Sequence, residues 1–209
     1  MNPHDVPASA SIPLDRLRQG FLGVADATFG FQRQLQRRLR EIDRKALNAQ
    51  VLVKRHGKEL AGYGVVAQSF REGAQQLQAA ASEVQKAIHP LMLVSMQVLK
   101  DATQVRKLLL LPRSMSRHLP HLAATVDARR ACQAEQSQRA GARLRSALDR
   151  FASVVAELEY VVVNGHIEAA LQGGARAQLA RVSADMESAV TQVSELLRHY
   201  LQHVEPILP

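Results

Sequence analysis

An all-α fold, a long antiparallel four-helix bundle made of two helical hairpins with coiled-coil-like seams, is predicted by three observations. Apolar residues recur at alternating steps of three and four over most of the 209 residues. Two short glycine-bearing breaks, at 57–62 and 173–174, divide that pattern into pairs. No stretch bounded by turn signals alternates with the period of two that a strand requires.

The first helix is expected to open after Pro13, a residue tolerated in a first turn. It carries its apolar stripe through Leu35, Leu39, Ile42, Ala46, Ala49 and Val53. The polar break His56-Gly-Lys-Glu-Leu-Ala-Gly62 is short enough to force the next helix back antiparallel. That second helix runs through Tyr63, Val66, Phe70, Leu77, Ala81, Val84, Ile88, Leu91, Ser95, Val98, Ala102 and Val105. Pro90 is expected to kink or end it near His89. Two prolines, Pro112 and Pro120, mark residues 112–121 as the connector. A third helix is expected over about 122–172, through Val126, Leu144, Leu148, Phe151, Val155, Leu158 and Val162. After Gly173-Gly174 a fourth follows through Leu179, Val182, Met186, Val190, Val193, Leu197, Tyr200 and Val204, and Pro206 closes it. The expected organisation is a single helical domain over 1–209, with hairpins at 13–111 and 122–205.

Composition bounds the function classes. Hydrophobic residues make up 46% of the chain, enough for a packed core rather than a disordered basic tail. The balance of 27 Lys+Arg against 19 Asp+Glu gives a formal net charge of +8. Aromatics are 4% with no Trp, which argues against base-stacking nucleic-acid platforms. Cys132 is the sole cysteine, so an intrachain disulfide or a cysteine metal cluster is excluded. No apolar run approaches the ~18–20 residues of a membrane span, and the N-terminal residues lack signal-peptide order. A cytoplasmic location is expected.

The halves also match each other. A shift of 116 residues without a gap places Asn48 on Asn164, Val51 on Ile167, Gly57 on Gly173 and Val66 on Val182. Leu35, Leu39 and Ile42 fall on Phe151, Val155 and Leu158. Coincident turns and seams point to an internal duplication.

The segment Ala46-Leu-Asn-Ala-Gln-Val-Leu-Val-Lys-Arg-His-Gly57, followed by Gly62-Tyr-Gly-Val-Val-Ala67 and Arg71, resembles the hairpin tip of methyl-accepting chemotaxis receptors. That family combines an ALNA element, an EAARAGE run and a GRGFxVVA run at fixed spacing. The second half keeps Asn164 and Ile167-Glu-Ala-Ala170 at the same offset from Gly173. The sequence departs from the family pattern at Leu52, where the EAAR glutamate stands, and at Ala61, where the GRGF arginine stands; Glu168 retains the glutamate in the second copy. The resemblance implies a cytoplasmic four-helix bundle whose tips dock a chemosensory histidine kinase and its coupling protein, or a receptor array. One chain with two hairpins would stand for the family's dimer, a monomeric pseudo-dimer. The partner-binding residues implied are Asn48, Val51, Arg55, Gly57, Gly62, Tyr63, Val65 and Val66, with Asn164, Ile167, Glu168 and Leu179 from the second copy.

Other constellations compete with this reading. Arg33, Arg37, Arg38, Arg40, Arg44 and Lys45 form a basic face on the first helix, and Arg129, Arg130, Arg139, Arg143, Arg145 and Arg150 a second cluster. Such faces attract an acidic partner, an anionic membrane surface or nucleic acid, or are solvated with intrahelical pairs such as Arg37–Glu41 and Glu41–Lys45. This supports an alternative function as a structural or regulatory bundle. His199 and His203 stand at i,i+4, and His118 and His121 straddle Pro120, but neither pair has a third metal ligand nearby in sequence. Asn48 and Asn164 are expected in the seams, as register-setting polar residues or as part of the tip. No nucleophile–base pair, phosphate loop or carboxylate dyad stands out, so no enzymatic activity, cofactor or metal is expected.

Overall fold

The computed structural model describes residues 14–109, 119–172 and 174–205. These form α1 (Leu14–His56), a 3-10 turn (Gly57–Leu60), α2 (Ala61–Leu109), α3 (Leu119–Leu171) and α4 (Arg176–Val204), with no strand among the described residues. Each helix packs on its neighbours in chain order, and α4 closes the ring on α1, which leaves α1 diagonal to α3 and α2 diagonal to α4. This is the four-helix bundle expected from the periodicity.

Side-chain links fix the directions. Glu83 meets Arg150 at 2.9 Å and Asp101 meets Arg129 at 3.7 Å, so α2 and α3 run antiparallel. Lys45–Asp185 at 2.9 Å and Thr28–Tyr200 at 3.2 Å do the same for α1 and α4. Tyr63, just past the first turn, bonds Ser183, just past the second, which puts both turns at one end of the rod.

The predicted seams are the core. Leu35, Leu39, Ile42, Ala46 and Ala49 from α1 are buried with Phe70, Leu77, Val84 and Ile88 from α2. Opposite them lie Leu144, Leu148, Phe151, Val155, Leu158 and Val162 of α3 and Leu179, Met186, Val190, Val193, Leu197 and Val204 of α4. Each large side chain buried there contributes roughly 1.5–3 kcal/mol relative to exposure. Burial also coincides at the 116-residue offset: Leu35/Phe151, Leu39/Val155, Ile42/Leu158, Phe70/Met186 and Leu77/Val193 are buried in both copies. The two hairpins therefore present one inward pattern twice, related by a pseudo-twofold along the rod.

Three expectations are corrected. The helix α2 does not end near His89 but continues through Pro90 to Leu109. Ile88 and Leu91, buried on either side of that proline, hold the segment against the core and offset a cost of about 3 kcal/mol. The third helix begins at Leu119, so Pro120 sits in its first turn and residues 119–121 belong to the helix rather than the connector. Residues 110–118, including Pro112 and His118, and Pro13 and Pro206, lie outside the described residues. Gly62 lies within α2 rather than in the break, which is confined to Gly57–Leu60.

The seam of α2 past Leu91 is less covered than the periodicity implies. Val98, Ala102 and Val105 are half-buried because α4, at 29 residues, ends at Val204 while α2 and α3 continue. Their facing sides leave a groove of about 290 Å³ lined by Val98, Ala102, Val105 and Val126.

Candidate functional site

The tip is built by two helix reversals. Gly57 takes φ +59°, the left-handed conformation that ends a helix at little steric cost only for glycine. Lys54, Arg55 and His56 fill the last turn of α1, where cations complement the helix dipole. In the second copy the chain reverses between Leu171 and Arg176, and the backbone N–H groups of Gln178 and Leu179 donate to the Ala175 carbonyl.

Behind the turns the helices approach closely. Gly165 is buried against Ser183 and Val66, which leaves little room for a Cβ, while exposed Gly62 faces only the movable carboxylate end of Glu168. The Tyr63 hydroxyl lies 3.0 Å from Ser183 Oγ and 3.9 Å from Met186 Sδ, spanning the diagonal between α2 and α4. Burial pushes the Tyr63 phenol above its ordinary value of 10.0, and the bond to Ser183 offsets part of that rise. Arg71 donates to Gln50 at 2.7 Å, Gln50 to Gln68 at 3.1 Å and Gln68 to Glu72 at 2.7 Å, a chain that ties α1 to α2 on the outside. His166 meets Glu187 at 3.0 Å between α3 and α4.

The twelve residues implied by the resemblance do not share one surface. Val51, Arg55, Gly57, Gly62, Val65 and Ile167 are exposed, and Asn164 and Glu168 are half-buried. Tyr63 and Leu179 are both 0% exposed and Val66 is buried, so these three form the floor of the tip and cannot touch a partner. They follow the turns on the inward stripe of α2 and α4. Asn48 is exposed rather than in the seam, because it lies about 200° around the helix from Ala46. Asn164 is half-buried at the seam's edge; neither asparagine is a buried register device.

Exposed apolar side chains concentrate at the same end. On α1, Leu47 and Val51 are 44% and 48% exposed; on α3, Val163 and Ile167 are 54% and 53% exposed. These pairs coincide at the 116-residue offset, so the pseudo-twofold repeats an outward apolar pair on opposite sides of the tip. On α3 the pair is extended by Tyr160 and Leu171, making a line of four apolar side chains at steps of three, four and four. Leu47, Tyr160, Val163 and Leu171 were not among the sequence-implied site residues. Their signal was present in the spacing, but apolar residues outside the seam carry no label in a sequence.

The remaining constellations resolve differently. His199 and His203 are exposed with ring centroids 4.6 Å apart, and His203 Nδ1 bonds the His199 carbonyl at 2.8 Å, which occupies that nitrogen. Among the described residues no group of three His, Cys, Asp or Glu side chains could hold a metal ion. The side chains of His118 and His121 lie outside the described residues. The intrahelical pairs expected for Glu41 are replaced by Arg38–Glu41 at 3.3 Å, while Lys45 reaches across to Asp185 on α4. No helix among the described residues is long and apolar enough to cross a membrane. The chain matches no protein-family model, no curated protein and no solved structure.

Proposed function

We propose that this chain is a non-catalytic docking module that engages protein partners through the outward apolar faces of its hairpin tip. The observation that carries this reading is the repeated pair, Leu47/Val51 and Val163/Ile167, exposed at the end where both turns lie. Exposed apolar side chains scattered singly need no explanation, but a pair repeated by the pseudo-twofold and extended into a four-residue line is the form of an interaction surface. The buried Tyr63 and Leu179 and the close contact of Gly165 with Ser183 and Val66 support the spacing of those faces.

The motif resemblance assigns the partner class: a chemosensory histidine kinase and its coupling protein, or an array of chemotaxis receptors, met in the cytoplasm. Of the resemblance-derived residues, Asn48, Val51, Arg55, Gly57, Gly62, Val65 and Ile167 are exposed, and Asn164 and Glu168 half-buried, at the surface where such a partner would dock. The test is titration of the purified chain with the coupling protein and kinase of the same organism at two salt concentrations. Saturable binding that survives added salt and weakens at least ten-fold in Ile167→Asp is expected, because apolar docking is little screened. Binding to neither protein would overturn the chemosensory reading.

A further inference from the structure

Below the tip, the outer side of α1 carries a row of arginines that the docking reading does not use and that runs into its Leu47/Val51 pair. Arg33, Arg37, Arg40, Arg44, Leu47 and Val51 follow one another at steps of four, three, four, three and four, and all six are exposed. That alternation is the seam spacing of one helix packed along another, repeated here on the face opposite the bundle's own seam. The line runs from Arg33 to Val51, about 27 Å along the helix. Among the described residues none of its four arginines has an ion pair or hydrogen-bond partner, whereas Arg38, one step around, pairs with Glu41.

We propose that this line is the docking seam for an amphipathic helix of a partner protein, with carboxylates facing the arginines and apolar residues facing Leu47 and Val51. Guanidinium groups pair with carboxylates bidentately, and an unpartnered row of them at seam spacing calls for acidic side chains at the same period. The width of the feature argues for a helix over a flat anionic surface. The line is one side chain wide and flanked by exposed Asp43, Gln36 and Asn48, with Asp26 at its far end. A bilayer laid on this face would meet those acids together with the arginines, while a helix meets only the seam. The seam shares Leu47 and Val51 with the proposed docking surface and extends beyond it. Arg37 lies 20 residues before Gly57, about 30 Å away, and the α3 substitution Ile167→Asp that tests tip docking leaves this α1 seam intact.

The test uses two synthetic helical peptides of identical composition. In one, the seam positions carry glutamates over about two heptads and leucines in the next. In the other, the same residues are interleaved, so no orientation matches α1. Binding of the block-ordered peptide at least ten-fold tighter than the interleaved one, and lost at least ten-fold in Arg37→Glu/Arg44→Glu, is the expected result. Phosphatidylserine vesicles and duplex DNA are titrated at the same salt. Equal binding of the two peptides, tighter binding to vesicles or DNA, or no binding at all would overturn the proposal.

Discussion

The outward faces of α1 and α3 occupy equivalent places in the bundle and have become different surfaces. At the 116-residue offset Arg33, Arg37, Arg40 and Arg44 of α1 stand where α3 has Asp149, Ser153, Ala156 and Tyr160. Nearer the turns Leu47 and Val51 stand where α3 has Val163 and Ile167, and Arg55 where it has Leu171. All of these side chains are exposed. One face is a basic line with an apolar end; the other is apolar throughout its upper half. Along the inward stripe of the same helices, matched positions such as Leu35/Phe151, Leu39/Val155 and Ile42/Leu158 differ in residue identity and are buried in both copies. Packing constrains the inner stripe to fill one shared core, whereas solvent places no such demand on the outer stripe. The apolar pair that persists on both outer faces therefore cannot be ascribed to the core, and this is what draws attention to the tip.

The sharpest way to break the inward equivalence is to cut each copy at the same place. Leu35→Ala and Phe151→Ala remove matched, fully packed side chains from α1 and α3. Each is expected to destabilise by about 3–5 kcal/mol through lost transfer free energy and a residual cavity. Urea denaturation followed by circular dichroism checks this, and a single transition shifted by similar amounts in both variants is expected. Two separate transitions would mean that the hairpins fold as independent units.

The close approach of α2 to α3 is the next difference between the copies. A Cβ on Gly73 would fall 2.6 Å from Leu158 Cδ2, while the offset position carries a Cβ, that of buried Ala189. Gly73→Val is expected to cost about 1–3 kcal/mol by forcing Leu158 aside, read from the denaturation midpoint. A neutral result would show that Leu158 has free room to turn.

Buried hydroxyls mark a smaller asymmetry. Tyr63–Ser183 near the tip and Thr28–Tyr200 at the far end have apolar counterparts, Leu179, Ala67, Leu144 and Val84, at the offset positions. Tyr63→Phe is expected to cost about 1 kcal/mol, because Ser183 loses its partner but can turn to its own helix backbone. Burial raises both phenols above the ordinary 10.0, and the bonds to Ser183 and Thr28 lower them in part. A group whose folded pKa exceeds its unfolded value contributes stability that is complete below the unfolded pKa and disappears as pH passes through the folded one. Stability is therefore expected to hold up to about pH 10 and to fall above it, and Tyr63→Phe/Tyr200→Phe should flatten that fall in a pH series of urea melts.

How much of this was legible follows from what a period reports. Steps of three and four identify which side chains face inward, so Ile42, Phe151 and Leu197 were identifiable as core from sequence. The same steps do not report helix ends, and α2's continuation through Pro90 depends on flanking contacts that no local rule contains. The glycine-bearing breaks located the turns, but the residues implied by the resemblance did not separate the floor of that end from its surface. Tyr63 and Leu179 belong to the motif and are buried; Leu47 and Tyr160 are exposed and lay outside the residues it implied. The arginine line on α1 was visible as charge, yet its one-residue width emerged only once the inward direction of α1 was fixed.

The smallest expected effect on stability is the one that separates the two outer faces most cleanly. Tyr160 and Leu171, 69% and 73% exposed, flank the α3 pair where α1 has Arg44 and Arg55. Tyr160→Arg/Leu171→Arg gives α3 the flanking residues of α1 without touching the core, so stability should move by no more than about 0.5 kcal/mol. Binding should respond differently. If the α3 line docks the chemosensory coupling protein, removing half of its apolar area and adding two charges should weaken that interaction at least ten-fold in a titration. Unchanged affinity with unchanged stability would assign docking to the α1 face alone, and the matched pair on α3 would then be only the outer surface of a repeated helix.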